Sequence, residues 1–424
     1  MKTSNFKFTN IAIGIQGTDY AFGINQLLSL RYNESIKSAS VRVEMQLTDT
    51  ETGALSDVQG MEPVYIEFED HLENKFQMNL VVYDVQDRLV VDGKSKATLL
   101  CCNPDLINNA AAKISRRFGG GGGKPINEMV VTDVLEKILG SGRAVVHSEP
   151  TKNKFSFISC YWSPFTIIKW LATKAIPAGK SGSNASAGYA FFENAKGYNF
   201  SSYDHFANKK FTKKMIVGYS EPEMGEPDKT IIPIMSMRVT HAGDVLTGLN
   251  LGSYSSKFMT FDVQDMSYTE HSFNISKYYK DVPKMNGDVD LPTYFTKFEK
   301  TTAPTRIMSK IMDTALFTEG TMTQDSTKQV AQSALREKLF YSKEVQVEYV
   351  GDIDLFVGDT IELTVYKGKK KDLDGSNSGV YVVGGIEREF ISSNDQMTTK
   401  ATLYTDSPGN IRETSQTKTD ETLK

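Results

Sequence analysis

A chain of 424 residues with 39% hydrophobic and 10% aromatic side chains is long for one hydrophobic core, so two to four domains of roughly 100–150 residues are expected. Its 48 basic and 52 acidic residues leave a net charge of −4, which argues against a general polyanion binder and favours a protein partner. No run approaches the ~18 apolar residues of a membrane span, MKTSNFKFTNIAIGI lacks a signal peptide's apolar core, and three cysteines cannot build a disulfide framework, so folding in a reducing cytosol is expected.

From Phe6 to Leu100 the pattern is that of strands: Val41, Val43, Met45 and Leu47 alternate, as do Val64, Ile66 and Phe68. LVVYDV and ATLLCC are apolar on both faces and read as interior strands of an antiparallel barrel or sandwich, placed at residues 1–102. The period changes at Asn103. Asn103 and Pro104 supply a cap and a first-turn proline, and Leu106, Ile107, Ala110, Ala111, Ile114 and Phe118 keep one helical face up to the glycines at 119–123. A second helix is expected from Ile126 to Leu139, with Ile126, Met129, Val130, Val134, Ile138 and Leu139 inward and Gly140 past its end. A third starts at Ser163 and Pro164 and turns Phe165, Ile168, Leu171 and Ala175 inward; a small-residue loop and the aromatic hairpin FFENAKGYNF follow. Residues 103–207 thus form a helical α+β domain inserted in a β-rich protein, and part of 208–250 completes the first β unit.

SEPEMGEPDK, residues 220–229, reads as a charged loop, after which 230–240 and 257–263 return to strand alternation. Residues 304–316 and 325–340 read as helices, the second capped by Asp325 and Ser326. KEVQVEYVGDIDLFVGDTIELTVY and GVYVVGGIEREF are strands divided by Gly-Asp turns, so 251–405 makes a second β-barrel. Residues 406–424 carry almost no apolar side chains and read as a mobile tail.

Chemistry-bearing motifs fail one by one. GGGGGK ends at Lys124, but a phosphate loop needs a glycine where Phe118 stands and a hydroxyl where Pro125 stands. Gly179, Lys180 and Ser181 fail likewise, because Lys174 holds the first glycine's place. His71, His147, His205, His241 and His271 lie at least 30 residues apart, so no single helix presents two of them to a metal. Cys101, Cys102 and Cys160 have no CxxC spacing and read as buried, inert thiols. No Gly-x-Ser-x-Gly elbow occurs, and carboxylate pairs such as Asp352 and Asp354 are too common to mark a glycosidase. Asp372, Asp374 and Gly375 suggest a calcium loop, yet Tyr381 stands where its glutamate belongs, so a hairpin turn is expected. Lys367 to Lys371 read as a solvated hairpin tip, and Trp162, Trp170, Phe191 and Phe192 as core. No catalytic, cofactor-binding or metal-ligating residue is assigned, and no cofactor is expected.

One stretch is more informative. Ser156 to Ser202 runs as a strand, a Ser-Pro helix start, an amphipathic helix with a Trp, a small-residue loop and the aromatic hairpin. That order resembles the helical insert of the central baseplate hub proteins of contractile-tailed bacteriophages, the T-even-type hub related to the hub domains of type VI secretion spike proteins. SRRFGGGGGKPINEMVVTDVLEKILG, NLGSYSSKFMTFDV and VEYVGDIDLFVGDTIEL extend the resemblance over residues 100 to 390. It implies a non-enzymatic structural protein of the virion tail baseplate, assembled in the host cytoplasm. It further implies two antiparallel, tail-tube-like β-barrels per chain with a helical domain inserted. Three chains would form a homotrimeric ring whose six barrels match the sixfold tail tube above and the threefold central spike below. Neighbouring baseplate proteins are the other implied partners, and DNA passes through the channel without specific binding. The residues by themselves also leave open a tail-associated cell-wall hydrolase and a receptor- or carbohydrate-binding β protein.

Overall fold

The computed structural model describes residues 7–50, 52–70, 74–91, 94–120, 122–179, 187–218, 230–241, 245–252, 255–262, 266–274, 282–286, 304–311, 327–350, 353–367, 372–392 and 396–407. The first β unit contains β1 (Lys7–Ile15), β2 (Thr18–Ala21), β3 (Leu27–Ser35), β4 (Arg42–Asp49), β5 (Pro63–Glu69), β6 (Lys75–Val91) and β7 (Lys94–Cys102). They pair antiparallel in the order β2-β1-β5-β6-β7-β4-β3. Alternation decides which side faces the core: Val43, Met45 and Leu47 on β4 and Val64, Ile66 and Phe68 on β5 are all buried in one cluster.

The helical insert follows. Helix α1 (Pro104–Ala111) is capped by the Asn103 side chain, which accepts from the Asp105 N–H, but it stops at Ala111 and not at the glycine run. Ile114 bridges Trp162, and β8 (Arg117–Phe118) pairs with β12 (Phe157–Ile158). Ile114 and Phe118 also fit a two-residue period, and stacking of Phe118 on Phe157, 5.0 Å apart, is gained only in the extended form. β9 (Lys124–Pro125) pairs with β11 (Lys154–Phe155). Helix α2 begins as Ile126–Glu128, continues π-wound over Met129–Leu139 and ends on Gly140 at φ 62°, as its sequence expects. Helix α3 (Pro164–Ala172) buries Phe165, Ile168 and Leu171, and Ile167 with them. β10 (Val145–Ser148) then lies parallel to β14 (Gly197–Ser202), which forms a hairpin with β13 (Tyr189–Asn194); α4 (Tyr203–Asn208) leads out.

The second β unit comprises β15 (Lys213–Val217), β16 (Ile231–Ile234), β17 (Ser236–His241), β21 (Lys343–Val350), β22 (Thr360–Lys367), β24 (Gly379–Ile391) and β25 (Gln396–Thr405), with β23 (Asp372–Leu373) on β22. Its order is β16-β15-β22-β24-β25-β21-β17. The strands from 208–250 therefore do not complete the first unit: β15 lies parallel to β22, and Met215 and Ile232 are buried in the second core. Long β24 pairs with β3 over Gly385–Ile391, fusing both units into one fifteen-stranded sheet. Closed twin barrels are not shown: among the described residues no pairing joins the two ends of the first set, whereas in the second the end strands β16 and β17 are one run of chain interrupted only at Met235, whose N–H donates to the Glu348 carbonyl at 2.8 Å.

Helix α5 (Val245–Asn250) precedes a small sheet, β19 (Tyr268–Asn274), β18 (Ser255–Phe261) and β20 (Arg306–Ile311). Residues 306–311 were expected in a helix; they are a strand lying parallel to β18. The open edge of β18 offers them a full ladder, and Met308 packs with Leu335 and Leu339 of α6 (Thr327–Phe340). The remainder of that expected helix, 312–316, the cap candidates Asp325 and Ser326 and the expected charged loop 220–229 lie outside the described residues. Of the tail expected to be mobile from 406, Asp406 and Ser407 are instead buried, Asp406 held by Arg336, and the rest, from 408, is not described.

Candidate assembly site

The aromatic hairpin singled out from the sequence is the wall between two cores. Every residue of β13 and β14 is buried, which a hairpin achieves only when both faces are covered. Tyr189 and Phe191 face the insert core, whereas Ala190 and Phe192 face the second β core. Its tip enters a third module. The Ala195 N–H donates to Glu34 of β3 at 2.9 Å, and Asn194 Nδ2 donates to the Val357 carbonyl at 3.0 Å.

Two buried carboxylates sit at this three-way junction. Glu193 accepts from the Val41 N–H at 3.0 Å, Arg143 Nε at 2.8 Å and the Asn103 amide, so one side chain ties β13 to the insert and to the first unit. Glu34 accepts from Tyr32 Oη at 2.7 Å and from the N–H groups of Ala195 and Val357. Arg388, fully buried on β24, lies over the Tyr32 ring and donates to the Ile353 and Leu355 carbonyls at 3.1 and 2.6 Å. Burial pushes both carboxyls above their ordinary range, while Arg388 for Glu34 and Arg143 for Glu193 oppose it. A second joint uses Arg336 of α6, fully buried, whose guanidinium meets Asp204 of α4 and Asp406 after β25 at 3.0 Å each and the Pro283 carbonyl at 2.8 Å. Removing one partner of such a buried pair strands the other, so these joints lock modules in register.

The residues weighed for chemistry are scattered. Lys124 is bound to Asp133 at 3.0 Å. His147 and His205, distant in sequence, stack at 4.5 Å, a meeting that no local spacing reveals. Burial, with His147 and Lys209 nearby, lowers His205 to about 4. Cys101 and Cys102 are buried, and burial pushes Cys102 up to about 11. Cys160 departs from expectation and is exposed. Asp354 pairs with Lys196 and Lys213, and its neighbour Asp352 is outside the described residues, as is His71. Asp374 forms the expected turn, accepting from the Ser376 N–H and Asn377 Nδ2. Lys367 reaches Asp374 at 3.2 Å, whereas 368–371 and Gly-Lys-Ser 179–181 beyond Gly179 are not described. Phe191 and Phe192 are core, and Trp162 and Trp170 pack partly buried against it. Among the described residues no three His, Cys, Asp or Glu side chains cluster to hold a metal, and no helix is long and apolar enough to cross a membrane.

What remains outside is surface. The outer half of β6 extends past β5, whose pairing ends at Pro63 opposite Val81, and carries Leu89, Val90 and Val91, each more than half exposed. Exposed apolar side chains clustered on one arm mark contact surfaces.

No known protein family and no curated protein matches the sequence. Solved structures do match. The 43 kDa tail protein of prophage MuSo2 from Shewanella oneidensis superposes with a TM-score of 0.55 at 9% identity, covering 94% of this chain and 98% of that one. A tail protein from Neisseria meningitidis MC58 gives 0.53 at 8% identity, with 95% and 97% covered. At such identity the likeness is one of backbone arrangement, and this chain has the fold of these tail proteins over nearly its whole length.

Proposed function

We propose that this chain is a structural baseplate hub of a contractile phage tail and carries out no catalysis. Three copies form a ring that joins the sixfold tail tube to the threefold central spike, contacts neighbouring baseplate proteins and leaves a channel for DNA. The observation that carries this reading is the presence of two seven-stranded β units in one chain, joined edge to edge at β3 and β24. A chain that contributes two comparable β units converts threefold rotation into near-sixfold, so a ring of three presents six units to a sixfold tube. The seven strands of each unit would then curl as twin tube-like barrels. The locked junctions around Glu193 and Arg336 suit that task, because a ring transmitting force from tube to spike needs its modules to move as one body.

Averaged electron micrographs of the assembled protein test this. Six β lobes around a threefold axis are expected; a ring of another order, or a single β lobe per chain, would overturn it.

A further inference from the structure

The insert carries a basic surface that the joints do not use. Residues 106–127 and 150–192 contain nine Lys or Arg and no Asp or Glu; of these Lys113, Arg116, Arg117, Lys152, Lys154 and Lys169 are exposed, whereas Lys174 is buried and Lys124 is paired with Asp133. Setting those nine charges aside from the net −4 leaves the rest of the chain at −13. The two segments meet in the ribbon where Ile114 bridges Trp162 and Arg117 faces Ile158. Lys113, Arg116 and Arg117 on one side and Ile158 and Tyr161 on the other are all exposed. Tyr161 is 71% exposed and held at φ 57°, a left-handed conformation unusual for an aromatic residue, with its N–H on Ser115 Oγ. A ring of this size turned to water in a constrained backbone, beside arginines, has the composition of an interface anchor.

The opposite character is found on the arm of β6. From Tyr83 onward, β6 pairs only with β7 among the described residues, so its outer edge is open. Asp57, Asp84 and Asp87 are exposed there beside Met61 and Leu89. Arg88 lies among these carboxylates, exposed and donating to the Ser56 and Val58 carbonyls on either side of Asp57, and on β7 Lys96 stands opposite Leu89 and Lys94 opposite Val91.

We propose that the basic ribbon of the insert receives the acidic, apolar base of the β6 arm of a second copy of this chain. Two different patches that fit each other give a head-to-tail contact, the kind that closes into a ring. The proposal rests on the trimer reading above and assigns its seam. Arginines meet carboxylates while Tyr161 and Ile158 cover Met61 and Leu89, so charge sets the register and apolar area holds it.

Sedimentation velocity of the full chain at low and high salt, with far-UV circular dichroism as the folding control, tests it. R116E/R117E and D84K/D87K each weaken self-association by at least about tenfold, and combining them restores most of it, because the reversed charges again match. High salt weakens the wild type. A wild-type trimer indifferent to both reversals, or a combined variant no better than either parent, refutes this seam and leaves the trimer reading standing. A wild type monomeric at both salts, alone and mixed with the spike protein, refutes both. Retention on duplex DNA that R116E/R117E abolishes without changing self-association assigns the ribbon to nucleic acid and overturns the contact.

Discussion

Replacing Glu193 by alanine removes the acceptor at the three-way junction. The Val41 N–H, in a fully buried residue, loses its partner, and an orphaned buried donor costs about 1–3 kcal/mol. Arg143 retains the Asn194 and Ala195 carbonyls at 3.1 and 2.8 Å and is partly hydrated, so its loss adds only ~1 kcal/mol. The Asn103 amide loses its charged partner while its carbonyl still caps α1. With about 1 kcal/mol for that lost amide bond the total is roughly 3–5 kcal/mol, that of breaking one side of a buried pair. The assay is urea unfolding followed by tryptophan fluorescence, which reports the insert because Trp162 and Trp170 both lie there, and by far-UV circular dichroism, which reports the sheets. Glu193→Ala is expected to lower the fluorescence midpoint and to separate it from the dichroism transition, with Glu193→Gln between variant and wild type. A loss under about 1 kcal/mol with coincident transitions would refute the claim that this carboxylate couples the modules.

Arg336→Met should cost about 3–5 kcal/mol by stranding Asp204 and Asp406, read as a lowered urea midpoint. In the glycine run, Gly119→Ala should destabilise by about 2 kcal/mol or more, because its φ is 83° and a Cβ would fall 2.2 Å from the Phe155 carbonyl oxygen; Gly122→Ala, in open space, should be neutral or stabilising by ~0.5 kcal/mol. His205 has a folded pKa below its unfolded value, so the unfolded chain takes up the proton first and stability is lost as pH falls from about 6.5 toward about 4. The full shift would be worth about 3 kcal/mol, of which partial hydration leaves roughly 1–2. His205→Gln should flatten that part of the pH profile, and an unchanged slope would contradict the stacked-pair geometry. Zymography on bacterial cell wall should show no lytic band; one abolished by a single Asp or Glu substitution would end the non-enzymatic reading.

Legibility followed locality. The two later insert helices and the hairpin are readable because cap, first-turn proline, terminal glycine and apolar stripe agree within a few residues, as at Ser163–Pro164 and Gly140. Residues 114–118 misled because Ile114 and Phe118 satisfy both helical and strand periods, and only Trp162 and Phe157, more than 35 residues away, break the tie. Residues 306–311 misled for the same reason: the edge of β18 that claims them lies some fifty residues earlier. The assignment of β15 and β16 to the second unit depends on parallel pairing with β22, nearly 150 residues downstream, which leaves no local signal. Of the junction, the aromatic hairpin was visible as a motif. The burial of Glu193 was not, since its partners Val41, Asn103 and Arg143 come from three separate stretches.

The most direct test is the mass of the assembly in solution, by light scattering on the full chain alone and mixed with the spike protein of the same virion. A species of three copies, alone or with the spike, is the expected result. A chain that stays single in both samples, at concentrations where the spike itself is trimeric, would contradict the account.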